Sequence, residues 1–154
     1  METLGDGMDR AATGPAQTQP SMSKFTRVLV VEDEQDIAAL IKHTLERSGD
    51  IQASIVGSGD VALRSIAERP PDLIILDLNL PVLGGLEVCR ILRSRPNTAE
   101  TPIIMLTAKT TREAVIKGLA GGADGYITKP FQTDVLVKAI KTMFGISDGA
   151  AANK

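Results

Sequence analysis

The chain has little of three features that often reveal a protein's class: cysteine, long apolar runs and an excess of one charge. Its 154 residues include one cysteine, Cys89, so an intramolecular disulfide is excluded and a reducing cytoplasm is the expected compartment. No apolar run approaches the roughly 20 residues that span a bilayer, and no apolar signal-peptide stretch opens the chain. With 17 basic and 19 acidic residues, the net charge of −2 gives no electrostatic reason to expect nucleic acid or a membrane surface as a partner.

The two ends of the chain differ in composition from its middle. Residues 1–24 mix Gly, Pro, Thr, Gln and Ser without a hydrophobic period, which predicts a disordered tail because little apolar surface can offset the entropy of ordering. Residues 147–154 predict a second, short tail on the same grounds. Residues 25–146 are therefore expected to form one domain, and this length is sufficient for a core without disulfides or metal.

Within that domain, short apolar runs alternate with segments of helical spacing. The predicted strands are Val28–Val31, Gln52–Val56, Leu73–Leu76, Ile103–Leu106 and Gly125–Thr128. Nearly uninterrupted apolar runs of this length are typical of strands buried on both faces of a parallel sheet. Each run is followed by a predicted amphipathic helix; in the fourth helix the apolar stripe consists of Val115, Ile116, Leu119 and Ala120. Five strands alternating with five helices predict an α/β fold with a doubly wound, five-stranded parallel sheet.

Polar residues follow four of the predicted strands at the point where each strand ends. They are Glu32-Asp33-Glu34 after the first, Asp77-Leu-Asn79 after the third, Thr107 after the fourth and Lys129-Pro130 after the fifth. Ligands bind such sheets outside the carboxyl ends of the strands. Carboxylates that converge there repel one another and favour a hard cation such as Mg²⁺, and a carboxylate can also attack a phosphoryl group. A hydroxyl and an ammonium group would add contacts to phosphoryl oxygens.

Each of these residues also has an ordinary structural explanation when it is considered alone. Asp33 could cap a helix, Thr107 could be a helix N-cap, and Lys129 could be a solvated surface charge. The functional interpretation depends on their combination, because all of them are expected at one edge of one sheet.

The motifs resemble a known family, the receiver domains of two-component response regulators. The resemblance runs from about Thr26 to Phe144 and depends on four stretches: Val28-Leu-Val-Val-Glu-Asp-Glu34, Asp77-Leu-Asn-Leu-Pro81 with Gly84-Gly85, Thr107-Ala108, and Gly121-Gly-Ala-Asp-Gly-Tyr-Ile-Thr-Lys-Pro-Phe131. It implies the flavodoxin-like receiver fold and a cytoplasmic, Mg²⁺-dependent phosphorylation switch of bacterial signal transduction.

The resemblance also implies roles for individual residues. Asp77 would accept a phosphoryl group from a phosphohistidine on a sensor histidine kinase or a histidine phosphotransfer protein. Asp33 and Asp77 would ligate Mg²⁺ with the backbone carbonyl of Asn79, and Glu32 would act through a water molecule.

The remaining roles concern the phosphoryl contacts and the switch. Thr107 and Lys129 would contact the phosphoryl group, and Tyr126 would turn inward when Thr107 moves toward the phosphate. The resemblance implies a cis peptide bond between Lys129 and Pro130.

Two other kinds of protein would use similar residues. A phosphatase of the haloacid dehalogenase type would need a second Asp where the chain has Asn79 and a Thr where it has Pro81. A phosphorylation-independent binding module would be expected to lack the acceptor Asp or the Lys, and both are present. We therefore expect no enzyme activity beyond the chain's own phosphorylation and dephosphorylation.

The output of the switch is less well defined by the sequence. Because the chain ends soon after the predicted fifth helix, a free-standing receiver that binds a protein partner is expected, and a fragment of a longer transcription regulator is the alternative. No direct nucleic-acid binding and no membrane association are expected. The sequence names neither the cognate kinase nor the downstream partner.

The predicted oligomeric state depends on four positions. In receivers of winged-helix transcription factors, charged pairs hold a symmetric dimer through the fourth helix, fifth strand and fifth helix. The corresponding positions here are Val115, Gly125, Val135 and Ala139, and none is charged. Because the complementary charges are missing, we expect a monomer in which Val115, Val135 and Ala139 contribute to a partner-docking patch.

Overall fold

The computed structural model describes residues 26–108 and 112–143. In chain order its elements are β1 (Thr26–Val31), α1 (Gln35–Glu46), β2 (Ile51–Val56), α2 (Gly59–Glu68), β3 (Leu73–Asp77), α3 (Gly85–Ser94), β4 (Ile103–Thr107), α4 (Arg112–Ala120), β5 (Gly125–Thr128) and α5 (Thr133–Met143). All five predicted strands and five predicted helices are present. The predicted tails, residues 1–24 and 147–154, lie outside the described residues, so both stay predictions.

The described strands form one sheet in the order β2-β1-β3-β4-β5, and every neighbouring pair is parallel. The order reverses direction beside β1, which is the arrangement of a doubly wound sheet. The predicted α/β fold class is therefore confirmed. The end of β1 lies next to β3 at this point, so the acidic residues that follow the two strands are neighbours.

Two apolar clusters cover the two faces of the sheet. Alternate residues of β1 contribute to opposite clusters, because successive side chains of a strand point to opposite faces. On one face Ile41 of α1 and Ile140 of α5 pack with Val28 and Val30. On the other face the buried side chains of α2 and α3 pack with Leu29 and Val31; these helical residues are Ala62, Ile66, Val88, Cys89 and Leu92. Burial on both faces explains why the strand sequences are almost uninterrupted apolar runs.

The predicted buried stripe of α4 is wrong. The side chains of Ile116 and Leu119 are 55% and 47% exposed, and Ala120 is also exposed. Gly118 is buried instead, and a Cβ at that position would lie 3.9 Å from Met105 Cγ. Because α4 approaches the sheet through a glycine, its large apolar side chains point away from the core.

None of the helices in the described part of the chain is long and apolar enough to cross a membrane.

Candidate functional site

The predicted site residues lie at the carboxyl ends of the strands. Glu32 follows β1, Asp77 is the last residue of β3, and Thr107 is the last residue of β4; all three are buried. Lys129 follows β5 and its side chain is only 15% exposed. Strand ends that are far apart in the chain meet here because the sheet is parallel, which is what the sequence predicted.

Lys129 joins the two buried carboxylates. Its Nζ lies 2.8 Å from Glu32 Oε1 and 3.1 Å from Asp77 Oδ2, and the two acidic side chains are 0% and 5% exposed. Bringing these carboxylates out of water is costly unless a cation is close to both. The ammonium group therefore compensates the charge of an acidic pair that the fold holds away from solvent.

Backbone amides hold the second oxygen of each carboxylate. The N–H of Glu34 donates to Glu32 Oε2 at 3.1 Å, and the N–H of Asn79 donates to Asp77 Oδ1 at 3.0 Å. In both cases the donor is two residues after the acceptor, and for Asp77 this is the geometry of an Asx turn. The orientation of each carboxylate is thus fixed by its own loop on one side and by Lys129 on the other.

Burial and neighbouring charges shift two titrations in the site. Burial raises the pKa of Glu32, and the nearby Asp77 raises it further, while hydrogen bonds from Lys129 and the Glu34 amide act against this shift. Burial alone would lower the pKa of Lys129, but its hydrogen bonds to Glu32 and Asp77 outweigh burial and raise it. Lys129 therefore stays cationic at neutral pH and keeps its charge available in the site.

Three carboxylates of the site fit a hard cation. Oxygen atoms of Glu32, Asp33 and Asp77 all lie within 4.8 Å of one another, and Asp33 is exposed while the other two are buried. A set of oxygen donors with one solvent-facing member matches what Mg²⁺ needs, because this ion binds through a few carboxylates and keeps several waters. The residues present therefore fit the ion that the sequence predicted.

Glu34 is a site residue to which the sequence reasoning gave no role. Its carboxylate lies 3.8 Å from Lys129 Nζ, although its side chain is 63% exposed. Its place at the end of the run Glu32-Asp33-Glu34 was the only signal for this contact. At that exposure the ion pair contributes little stability, about 1 kcal/mol at most.

The two predicted switch residues lie on the neighbouring strands β4 and β5. Thr107 is buried at the end of β4, and Tyr126 is half-buried in β5 opposite Met105. Tyr126 packs against the cluster that covers the α2 and α3 face. The peptide bond between Lys129 and Pro130 is cis, so this implication of the resemblance is confirmed.

The sequence profile of one family, described as the response regulator receiver domain, matches residues 28–141. The chain belongs to this receiver-domain family. Response regulators are signalling proteins and in general not enzymes, so the expectation that this receiver domain has no activity on other molecules agrees with its family.

Curated relatives of the receiver domain are bacterial regulators. The phosphate regulon transcriptional regulatory protein PhoB of Rhizobium meliloti is 44% identical over 117 residues, which are 76% of this chain and 51% of PhoB. The DNA-binding response regulator MtrA of Mycobacterium tuberculosis strain H37Rv is 40% identical over 126 residues, which are 82% of this chain and 54% of MtrA. The chain thus spans about half the length of these curated relatives.

Solved structures of other receiver domains share the fold. A response regulator from Chloroflexus aurantiacus superposes with a TM-score of 0.76 at 34% identity, over 79% of this chain and 99% of that one. The receiver domain of the sensor histidine kinase PA1611 from Pseudomonas aeruginosa superposes with a TM-score of 0.73 at 30% identity, over 79% and 98% of the two chains. The PA1611 domain has a magnesium ion coordinated in its active-site cleft.

One expectation about partners is wrong. The net charge gives no reason to expect nucleic acid, and no direct nucleic-acid binding is predicted, yet the relative MtrA is a DNA-binding response regulator. The reason for the error is that a net charge of −2 describes only the 154 residues of this receiver domain. The relatives are about twice as long as the region that they share with this chain, and the net charge of that region says nothing about the rest of their length. A histidine kinase as the upstream partner remains consistent with the family.

Proposed function

We propose that this receiver domain accepts a phosphoryl group on Asp77 from a phosphohistidine of a sensor histidine kinase or a histidine phosphotransfer protein. The observation that carries the proposal is the environment of Asp77: a buried carboxylate 3.1 Å from Lys129 Nζ and within 4.8 Å of the oxygens of Glu32 and Asp33. Such a carboxylate is oriented for attack and has positive charge beside it.

The transfer itself is an in-line displacement at phosphorus. An oxygen of Asp77 forms the new bond to phosphorus while the bond from phosphorus to the histidine nitrogen breaks, so the imidazole leaves and an acyl phosphate remains. Lys129 presents its ammonium group to the phosphoryl oxygens, and the Thr107 hydroxyl donates a further contact. These residues position the group and neutralise its charge, which is most of what catalysis of phosphoryl transfer requires.

Mg²⁺ is the cofactor of this proposal. Asp33 and Asp77 would hold it directly, the backbone carbonyl of Asn79 would be the third protein ligand, and Glu32 would contribute through a water molecule. When bound, the ion neutralises charge on the transferring group and orients it. The solvent-facing position of Asp33 supports this assignment, because it leaves space for the waters that Mg²⁺ retains.

The proposed switch connects the site to the surface formed by α4, β5 and α5. Thr107 would move toward the phosphoryl group and Tyr126 would turn inward behind it. Val135 on this surface is 48% exposed, so a change there is accessible to a partner. The receiver unit would comprise residues 25–146 and act in the bacterial cytoplasm, where a lone cysteine remains reduced.

Phosphorylation of the purified 154-residue chain tests the proposal. Incubation with acetyl phosphate and Mg²⁺ should add one hydroxylamine-labile phosphoryl group, and Asp77→Asn should abolish its addition. Asp50→Asn is a suitable control, because Asp50 is exposed in the turn before β2, at the opposite rim of the sheet. Labelling that persists in Asp77→Asn would show that the acceptor is another residue.

The relatives favour a transcriptional output as a second part of the function. PhoB is a transcriptional regulatory protein and MtrA is a DNA-binding response regulator, and each is about twice as long as the region it shares with this chain. We infer that the receiver domain controls DNA binding within a longer regulator. Sequencing the gene beyond codon 154 tests this inference, since a stop codon directly after Lys154 would contradict it.

A further inference from the structure

The outer edge of β2 is one border of the sheet, and its backbone groups face away from β1. The N–H of Thr26 bonds to Asp50 O at 2.8 Å and the N–H of Glu32 bonds to Val56 O at 3.0 Å, so even-numbered residues of this segment face β1. In a parallel ladder the backbone polar groups of successive residues alternate in direction. The N–H and C=O groups of Ile51, Ala53 and Ile55 therefore point outward.

Two side chains of α1 satisfy both outward groups of Ala53, the middle residue of the three. Lys42 Nζ donates to Ala53 O at 2.6 Å, and Ala53 N donates to Glu46 Oε2 at 3.0 Å. Lys42 Nζ also lies 3.0 Å from Glu46 Oε2, which closes a three-membered ring of contacts. The hydrogen bond from Ala53, together with Lys42, lowers the pKa of Glu46, so the carboxylate stays charged in the ring.

The strand that this ring covers has the composition of a segment prone to pair with copies of itself. Ile-Gln-Ala-Ser-Ile-Val, residues 51–56, contains no charge, no proline and no glycine, and Ile55 is 40% exposed. Exposed strands of this kind pair edge to edge unless charges or prolines block them. Here the strand carries no such residue, and the blocking charges come from α1.

The two α1 side chains occupy the outward hydrogen-bonding positions at the centre of this edge. A groove of about 430 Å³ beside them is lined by Lys42, Glu46 and Ala53 together with residues of β1 and of the end of α2. We propose that Lys42 and Glu46 form an edge lock that closes β2 to strand addition, and that a second copy of this chain pairs through β2 when the lock is removed.

The composition of β2 favours a second copy of this chain as the molecule that pairs with its edge. Two identical uncharged edges can pair about a two-fold axis, so that each Ile55 contributes apolar surface to the same interface. A partner chosen by charge would find no charged side chain in residues 51–56 to recognise. The lock thus prevents self-association at the β2 edge of the sheet. The proposed switch operates at the other side of the sheet, on β4 and β5.

Sedimentation equilibrium of the full chain tests the proposal. Lys42→Ala/Glu46→Ala should raise the weight-average mass toward twice the wild-type value at about 0.1 mM. Glu87→Ala/Arg90→Ala is the control, because this ion pair is also solvent-exposed but lies within α3; its N–O distance is 3.7 Å. Adding Ile55→Lys to the Lys42/Glu46 variant should restore the wild-type mass, since a charge on the edge blocks strand pairing.

Hydrogen exchange of the wild-type chain tests the lock without any substitution. The Ala53 amide faces away from β1 and donates to Glu46, so this contact, together with the burial of Ala53, should slow its exchange by about tenfold or more relative to an unstructured peptide. An unprotected Ala53 amide would overturn the proposal. It would also fail if the folded Lys42/Glu46 variant kept the wild-type mass, if the control associated equally, or if Ile55→Lys left the association intact. None of these results depends on phosphorylation of Asp77.

Discussion

Gly85→Ala should destabilise the receiver domain strongly, whereas the same change at the preceding residue should not. A Cβ on Gly85 would fall inside van der Waals contact with the carbonyl oxygen of Asp77 and lie 2.9 Å from Leu78 Cα. These are backbone atoms, so no side-chain rotation can relieve the clash. Overpacking of this kind costs about 1–3 kcal/mol, and we expect the upper part of that range because the backbone must move.

Gly84→Ala is the matched control for this prediction. Its added Cβ would meet only Leu78 O at 3.9 Å, which is an ordinary contact, and its φ of −67° suits alanine. The change in unfolding free energy should therefore stay within about 1 kcal/mol of zero. Gly84 is the N-cap of α3 and Gly85 is the first residue of that helix, so the comparison of these neighbours isolates the close approach to Asp77.

Urea denaturation followed by circular dichroism measures the difference between the two variants. With a slope of about 1–3 kcal/mol/M for a small domain, the unfolding midpoint of Gly85→Ala should lie about 1 M below that of Gly84→Ala. The rate of phosphorylation by acetyl phosphate should also fall in Gly85→Ala, because the displaced backbone carries the Asp77 carboxylate. If both variants unfold within about 0.5 kcal/mol of each other, the close approach at Gly85 is not the constraint that we infer.

Two further predictions concern the metal and pH. Asp33→Asn, or addition of EDTA to the wild type, should slow phosphorylation by acetyl phosphate by about tenfold or more, because either change removes Mg²⁺ from the site; an undiminished rate would contradict the metal assignment. The folded-state pKa of Glu46 is depressed below its usual 4.5 by the hydrogen bond from Ala53, so its contribution to stability is present above pH 4.5 and lost as pH falls through the folded-state value. The difference in unfolding free energy between wild type and Glu46→Gln, about 1 kcal/mol or less for this exposed group, should be constant from pH 5 to 7 and shrink in more acidic buffer; a difference that grows as the buffer becomes more acidic would refute the linkage.

The sequence was sufficient for the fold class and for the position of the site. Runs such as Val28–Val31 and Ile103–Leu106 are apolar on both faces of the strand, and only a parallel sheet covered on both sides buries them. Because all strands of such a sheet end at one edge, the sequence alone predicts that Glu32, Asp77 and Lys129 lie together. The structure confirms this by the contacts of Lys129 at 2.8 Å and 3.1 Å.

Features that depend on how the elements pack against one another were decided only by the tertiary structure. Ile116 and Leu119 have the spacing of a buried stripe, but α4 turns the face that carries Gly118 toward the sheet and leaves them exposed. Lys42 and Glu46 have the spacing of an ordinary exposed i, i+4 pair, yet they reach the backbone of β2. Periodicity in a sequence reports which side chains share a face of one element. Periodicity does not specify the distance or the rotation between two elements. These two quantities determine which face of an element is covered and which backbone groups find hydrogen-bond partners.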